Sequence, residues 1–147
     1  MARQSNRQSY LESLYSLLTE GSNSTSEKTS FIDNIMRYAP YREISRILVR
    51  YELYKKIIDL SGDIFEFGCY FGSGVTTFLQ LGELLEPHNY TRRIFGFDTF
   101  DGLLTEANDY RGLNQGQYRY SDLNHLTAIL NAHGRNKLRP DENYKLI

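Results

Sequence analysis

The chain has 147 residues, with 17 Lys and Arg against 18 Asp and Glu, so its formal net charge is −1. This balance gives no electrostatic reason to expect nucleic acid or an anionic membrane as a partner. The single cysteine, Cys69, excludes an internal disulfide framework and is typical of a reducing, cytoplasmic compartment. No apolar run approaches the roughly 20 residues that cross a bilayer, and the polar N-terminus lacks a secretory signal core.

The first part of the chain predicts helices. Residues 10–19 have apolar positions at helical spacing and are followed by a linker rich in Gly, Ser and Thr at 21–30. A second helix is predicted over 31–38. It must end before Pro40, because the residue that precedes a proline is pushed out of the α region. An apolar stripe over 41–58 predicts a third helix, which Gly62 ends.

The hydrophobic pattern changes at residue 63. The runs DIFEFG (63–68) and RIFGFD (93–98) are short and rich in Ile and Phe, and they predict two strands, of which the second is buried. Between these two strands, apolar positions at helical spacing predict a helix over 75–85. After a long polar loop, a helix capped by Ser121 and closed by Gly134 is predicted, and ENYKLI at the end predicts the start of a third strand.

This alternation predicts an α/β fold with a parallel sheet covered by helices. Because two full strands and a third just entered make a poor open sheet, we predict that the chain stops inside a larger domain. We divide it into an N-terminal helical lid segment, residues 1–60, and a partial α/β domain, residues 61–147. An exposed strand edge in such a half-domain favours association, for example as a homo-oligomer.

A glycine-rich turn follows the first predicted strand in the segment EFGCYFGSG, residues 66–74. Glycines let the backbone turn sharply and bring its N–H groups close to a ligand, and the next helix adds a partial positive charge. The spacing Gly68-x-x-x-Gly72-x-Gly74 is neither the dinucleotide-binding Gly-x-Gly-x-x-Gly pattern nor a P-loop, which argues against a nicotinamide-dependent oxidoreductase. The alternative is a structural turn without a ligand.

Asp98 is the last residue of the second predicted strand. Ligands of open α/β sheets bind outside the carboxyl ends of the strands, where an acid can accept both hydroxyl hydrogens of a ribose. For Asp98 alone, the alternative is an acid that caps a helix or orders a loop. The glycine-rich turn and Asp98 together predict a nucleoside-binding site.

The segments GDIFEFGCYFGSG and RRIFGFDTFDGL resemble class I S-adenosylmethionine-dependent methyltransferases, in particular the macrocin O-methyltransferase-like (TylF-type) family. The resemblance covers roughly residues 40–147. It implies the first half of a Rossmann-like parallel-sheet domain, S-adenosylmethionine as cofactor, and a carbohydrate or another small hydroxylated metabolite as the substrate for O-methylation. It also implies C-terminal truncation, because the substrate and metal residues of the family lie further along the chain. Any Mg²⁺ would be bound by residues absent here, and weak or no turnover is expected.

The resemblance also implies roles for particular residues. The cofactor-binding set is Glu66, Gly68, Tyr70, Phe71, Gly72, Asp98, Thr99 and Phe100. The first five surround the methionine end of the cofactor, where the two aromatic residues contribute mainly backbone. The last three lie at the nucleoside end, where Asp98 binds the ribose hydroxyls. No catalytic base can be carried over.

Several of these residues have structural alternatives. The Glu66 carboxylate either meets the amino end of the cofactor or accepts N–H bonds from the loop. Arg46 and Arg50 either bind a carboxylate or, as we favour, belong to the solvated face of a helix. Cys69 is predicted to be a packed residue, and the three histidines show no metal spacing. The alternative to an enzyme is a non-catalytic nucleotide-binding or interaction module.

Overall fold

The computed structural model of the chain describes residues 34–103, 115–133 and 142–147. The chain divides into two compact units, Met1–Leu48 and Val49–Ile147. None of the helices within the described ranges is long and apolar enough to cross a membrane. The assignment of residues 1–60 as a lid stays a prediction.

Residues 34–39, the described part of the chain before Pro40, form less helix than the periodicity predicts. The helix predicted over 10–19 and the linker over 21–30 lie outside the described residues. In the described part of 31–38, the backbone forms only a 3-10 turn, Ile35–Arg37, none of whose residues is buried. Without a buried face, these residues lack the packing that stabilises most helices in proteins.

Helix α1 spans Tyr41–Lys55. The apolar stripe predicts a helix that continues to Ile58, so the observed helix is about one turn shorter. A buried guanidinium explains the difference. Arg92 donates through Nη2 to the carbonyl oxygens of Ile57 and Leu60, both at 2.8 Å. Because the last carbonyls of a helix have no partner within the helix, such a donor stabilises a tight turn in place of further helix.

Within the described residues, three strands form a parallel sheet in the order β1-β2-β3: β1 is Ile64–Phe67, β2 is Ile94–Phe97 and β3 is Tyr144–Leu146. The register pairs Ile64 with Ile94 and Ile94 with Tyr144. All three strands lie where the sequence predicts them. The predicted fold class, α/β with a parallel sheet, is confirmed.

Two helices alternate with these strands. Helix α2, Ser73–Leu85, connects β1 to β2, and helix α3, Leu123–His133, precedes β3. The predicted cap of α3 is wrong by one residue, because the carboxylate of Asp122 accepts the N–H of His125 at 2.9 Å. Asp122 directly precedes the first helical residue, and that position is the one from which a side chain reaches the third N–H of the helix.

The core lies between the two helices and one face of the sheet. Its buried members are Cys69, Val75, Leu79, Ile94, Phe100, Leu126, Leu130 and Tyr144. On the opposite face, the rings of Phe65 and Phe67 are 56% and 77% exposed and stack on Phe95 and Phe97. Side chains alternate between faces along a strand, so β2 is buried on one face and half-buried on the other.

Candidate functional site

Asp98 joins the loop after β1 to the loop after β2. Its Oδ2 accepts the backbone N–H of Tyr70 at 2.8 Å, and its Oδ1 accepts the backbone N–H of Phe100 at 2.8 Å. The N–H of Gly68 donates to the carbonyl oxygen of Phe97 at 2.8 Å, which brings the two loops together. A carboxylate has about four acceptor positions, so each oxygen of Asp98 retains one beyond these bonds.

The backbone on this rim has an unusual conformation. Gly68 has φ +80°, and a Cβ placed there would meet nothing within 4 Å, so bare backbone faces open space. Tyr70 and Phe100, the two residues that donate to Asp98, have φ of 50° and 56°. Non-glycine residues rarely adopt positive φ, and where they do the strain is often part of a functional site.

The Glu66 side chain lies on the helix-covered face of the sheet and reaches the N-terminus of α2. A Cβ at Gly74 would overlap its carboxylate. Glu66 Oε1 lies 3.3 Å from Arg50 Nη2, whereas Glu66 Oε2 is buried and has no hydrogen-bond partner among the described residues. Burial raises the pKa of Glu66, and the charge of Arg50 opposes that rise.

Three predicted site residues have structural roles as well. Gly72 caps α2 with φ +75°, and a Cβ there would run into the side chain of Leu126, so packing alone requires glycine. The Phe100 ring is buried in the core, and therefore only the backbone of this residue reaches the rim. Thr99 is exposed and donates through Oγ1 to the carbonyl oxygen of Gly102 at 3.3 Å.

Four aromatic rings form a cluster beside Asp98, which we call the aromatic cluster: Tyr70, Phe71, Tyr118 and Tyr120. The ring of Tyr70 lies 4.0 Å from that of Phe71 and 5.5 Å from that of Tyr118, measured between centroids. Phe71 meets Tyr120 edge-on at 4.7 Å. Tyr118 and Tyr120 lie in the long polar loop before α3, and neither belongs to the predicted cofactor-binding set.

Backbone pairing positions that part of the loop. The N–H of Tyr120 donates to the carbonyl oxygen of Phe100 at 2.9 Å, and Leu103 exchanges two bonds of 2.9 Å with Gly116 and Gln117. Tyr118 itself has φ 68°. These contacts join residues far apart in the sequence, so hydrophobic periodicity carries no signal for them.

Arg50 is the other site residue that the sequence analysis left out. Arg46, one turn earlier on α1, pairs with Glu43 at 2.8 Å on an exposed surface, as we favoured for both arginines. The side chain of Arg50 is instead largely buried and pairs with Glu66. Nothing in the local sequence distinguishes these two arginines, because both lie off the apolar stripe.

Cys69 is buried in the core, as predicted, and its thiol is not activated. Burial, together with the charges of Glu66 and Asp98, raises the pKa of Cys69 to about 11. Across the described ranges, no group of three or more His, Cys, Asp or Glu side chains could hold a metal ion. The prediction of Mg²⁺ bound through residues outside this chain stays a prediction.

Two solved structures are similar to this chain over most of its length. The crystal structure of CalS11, a calicheamicin methyltransferase, has a TM-score of 0.81 and 28% sequence identity, and the match covers 97% of this chain and 57% of that one. The apo structure of CalS11, a TDP-rhamnose 3'-O-methyltransferase of calicheamicin biosynthesis, has a TM-score of 0.73 and 27% identity, covering 97% and 54%. The chain has the CalS11 fold.

This Rossmann-like methyltransferase fold confirms the fold that the resemblance implied. The chain spans little more than half the length of these two structures. No family profile and no curated protein matches the sequence. The narrower TylF-type assignment and the truncation stay predictions.

Proposed function

We propose that this chain carries the S-adenosylmethionine-binding part of a methyltransferase that methylates a hydroxyl group of a sugar. The observation that carries the proposal is the Asp98 carboxylate, which links the glycine-rich loop to the end of β2 through hydrogen bonds to Tyr70 and Phe100. The likeness to CalS11 supports the reaction class.

The residues on the rim fit the parts of the cofactor. The two remaining acceptor positions of Asp98 match the two hydroxyls of a ribose. The open backbone at Gly68 leaves room for the methionine end of the cofactor. The N-terminus of α2 suits the methionine carboxylate, because the first N–H groups of a helix have no partner within the helix. Glu66 Oε2, buried and without a partner in the described part of the chain, suits the methionine amino group.

S-adenosylmethionine, when bound, supplies an activated methyl group on a positively charged sulfur. The residues of this chain hold and orient the donor, and positioning of the two reactants is a large part of such catalysis. Methylation also needs a base that takes the proton of the acceptor hydroxyl. We assign this role to none of the described residues.

A sugar acceptor is supported by CalS11, which is described as acting on TDP-rhamnose. This chain matches about half of that protein, and the residues assigned in this proposal are those that bind the cofactor. Cofactor binding is therefore the decisive measurement.

Calorimetric titration of the chain with S-adenosylhomocysteine and with NAD tests the proposal. We expect S-adenosylhomocysteine to bind and NAD not to bind. The Asp98→Ala variant should lose about 3 kcal/mol of binding free energy, roughly 100-fold in affinity, because two hydrogen bonds to a charged group disappear. Asp98→Asn should be intermediate, and Asp59→Ala, a change at an exposed acid before β1, should bind normally.

The proposal fails if the wild-type chain does not bind S-adenosylhomocysteine. It also fails if Asp98→Ala binds it as tightly as wild type while circular dichroism shows both to be folded. Binding of NAD in preference would favour the oxidoreductase that the glycine spacing argues against.

A further inference from the structure

We propose that the exposed rings of the aromatic cluster, Phe71 and Tyr118, form the surface against which the acceptor sugar stacks. This inference rests on the proposed function and names the residues that would select its substrate. Both rings are about half exposed, at 54% and 51%. Large aromatic side chains so placed beside a candidate site are candidates for ligand contact.

The two exposed rings are held in place by two inner rings. Tyr118 meets the ring of Tyr70 edge-on with an interplanar angle of 89°, and Phe71 meets the ring of Tyr120 at 71°. Edge-to-face contacts of this kind are the geometry that aromatic quadrupoles favour. The exposed faces are therefore preorganised, so a ligand that stacks on them pays little conformational entropy.

The backbone also holds Tyr118 in the left-handed region, at φ 68°. A tyrosine in that conformation costs free energy, which the surrounding pairing between residues 100–103 and 116–120 offsets. The ring of this strained residue remains exposed, so core packing does not account for the strain.

The position of the cluster favours the acceptor over the cofactor base. Tyr70 and Phe71 belong to the loop after β1, which in the proposed function surrounds the methionine end of the cofactor. The nucleoside end lies at Asp98 and beyond it, after β2. Phe71 belongs to that loop, and the ring of Tyr118 lies against the Tyr70 ring of the same loop. In this proposal both exposed rings therefore border the end of the cofactor that carries the methyl group. An acceptor must approach that end.

A sugar ring fits such a surface chemically. One face of a hexopyranose presents several C–H groups, which are attracted to the negative face of an aromatic ring. The other face and the ring edge keep their hydroxyls free for methylation. Deoxysugars present more C–H surface and should bind better than the fully hydroxylated sugar.

Saturation-transfer-difference NMR on the full chain tests the inference, with methyl 6-deoxymannopyranoside as the probe and S-adenosylhomocysteine at saturation. We expect transfer from aromatic protons to the C–H face of the sugar. Phe71→Ala and Tyr118→Ala should each lower it by about threefold or more. Tyr118→Phe retains the ring and should behave as wild type. Tyr90→Ala, a change at an exposed ring at the opposite end of β2, should also be normal.

Calorimetry on the same variants separates this inference from the proposed function. Tyr118→Ala should bind S-adenosylhomocysteine within about twofold of wild type, because its ring contacts the acceptor and not the nucleoside. Unchanged saturation transfer in the alanine variants overturns the inference. So does a wild-type chain that binds S-adenosylhomocysteine but shows no saturation transfer to the sugar. A loss of cofactor binding in folded Tyr118→Ala also overturns it, since the ring would then serve the cofactor. Failure of the wild-type chain to bind S-adenosylhomocysteine removes the proposed function, and this inference with it.

Discussion

The guanidinium of Arg50 lies 3.3 Å from Glu66 Oε1 and connects α1 to the end of β1. Both side chains are largely buried, so the pair is only weakly screened by solvent. Burial raises the pKa of Glu66, and the charge and hydrogen bond of Arg50 oppose the rise. Arg50 thereby favours the ionised form of Glu66, in a site where the carboxylate is proposed to meet a cationic amino group.

Replacing Arg50 should make cofactor binding more sensitive to acid. In Arg50→Gln the pKa of Glu66 rises further, so the carboxylate is protonated at a higher pH and its attraction for the amino group is lost there. We expect S-adenosylhomocysteine affinity, measured by calorimetry between pH 5 and 8, to decline at a higher pH than in wild type. Arg46→Gln, which breaks only an exposed pair with Glu43, is the matched control and should leave the profile unchanged. Identical profiles for Arg50→Gln and wild type would show that Arg50 has no such role.

Gly74→Ala should destabilise the fold because the new Cβ would overlap the Glu66 carboxylate. Overpacking of this kind typically costs about 1–3 kcal/mol. In a Glu66→Ala background the overlap is absent, and the same change should instead stabilise by up to about 1 kcal/mol, since alanine is a better helix former than glycine. Urea denaturation of the four proteins of this double-mutant cycle measures the reversal. A cost for Gly74→Ala that is the same in both backgrounds would contradict the assigned contact.

A buried polar network joins the end of α2 to the start of β2. Glu86 Oε2 accepts from Arg92 Nε at 2.8 Å and from the hydroxyl of Tyr54 at 2.7 Å, and Glu86 Oε1 accepts from Asn89 at 2.9 Å. Arg92 also donates to the carbonyl oxygens of Ile57 and Leu60, in the turn that follows α1. The network is far from the rim at Asp98, so its role is structural.

Acid should destabilise the protein through Glu86. Burial would raise the pKa of this carboxyl, but hydrogen bonds from Arg92, Tyr54 and Asn89 outweigh burial and lower it from 4.5 to about 2. The folded state thus binds the proton more weakly than the unfolded state. Stability from this group is present above pH 4.5 and is lost as the pH falls toward 2, by about 3 kcal/mol in all.

Glu86→Gln should remove that part of the pH dependence and cost about 3 kcal/mol at neutral pH, because it leaves the buried Arg92 charge without its counter-ion. Thermal or urea denaturation against pH provides the measurement. Glu52→Gln, which breaks an exposed pair with Lys55, is the matched control and should cost about 0.5 kcal/mol or less. A Glu86→Gln protein as stable as wild type would refute the assigned ion pair.

The Cys69 thiol should react slowly with iodoacetamide in the folded protein. Its pKa of about 11 leaves little thiolate at pH 8, and the side chain is buried. We expect alkylation, followed by mass spectrometry, to be about 100-fold slower than in concentrated guanidinium chloride. Equal rates in the two conditions would mean that the thiol is accessible in the native state.

Much of the fold follows from local patterns. The strands at Ile64 and Ile94 were predictable because short apolar runs bounded by turn residues have few alternatives in an α/β chain. The helix end near Lys55 was not, because the donor that caps it, Arg92, is far away in the sequence. The cap of α3 was predicted one residue too early. Ser121 and Asp122 are both good capping residues, and only the position of the first helical residue decides between them.

By itself, the sequence determined that glycines follow the first strand and that a carboxylate ends the second, because spacing and residue type are local properties. Only the tertiary structure decided that Asp98 bonds to Tyr70, that Arg50 rather than Arg46 reaches Glu66, and that Tyr118 returns to the rim. Each of these contacts depends on the parallel sheet bringing strand ends side by side and on the packing of a helix or loop against them. That arrangement is set by burial of the whole core, which no local stretch of residues encodes.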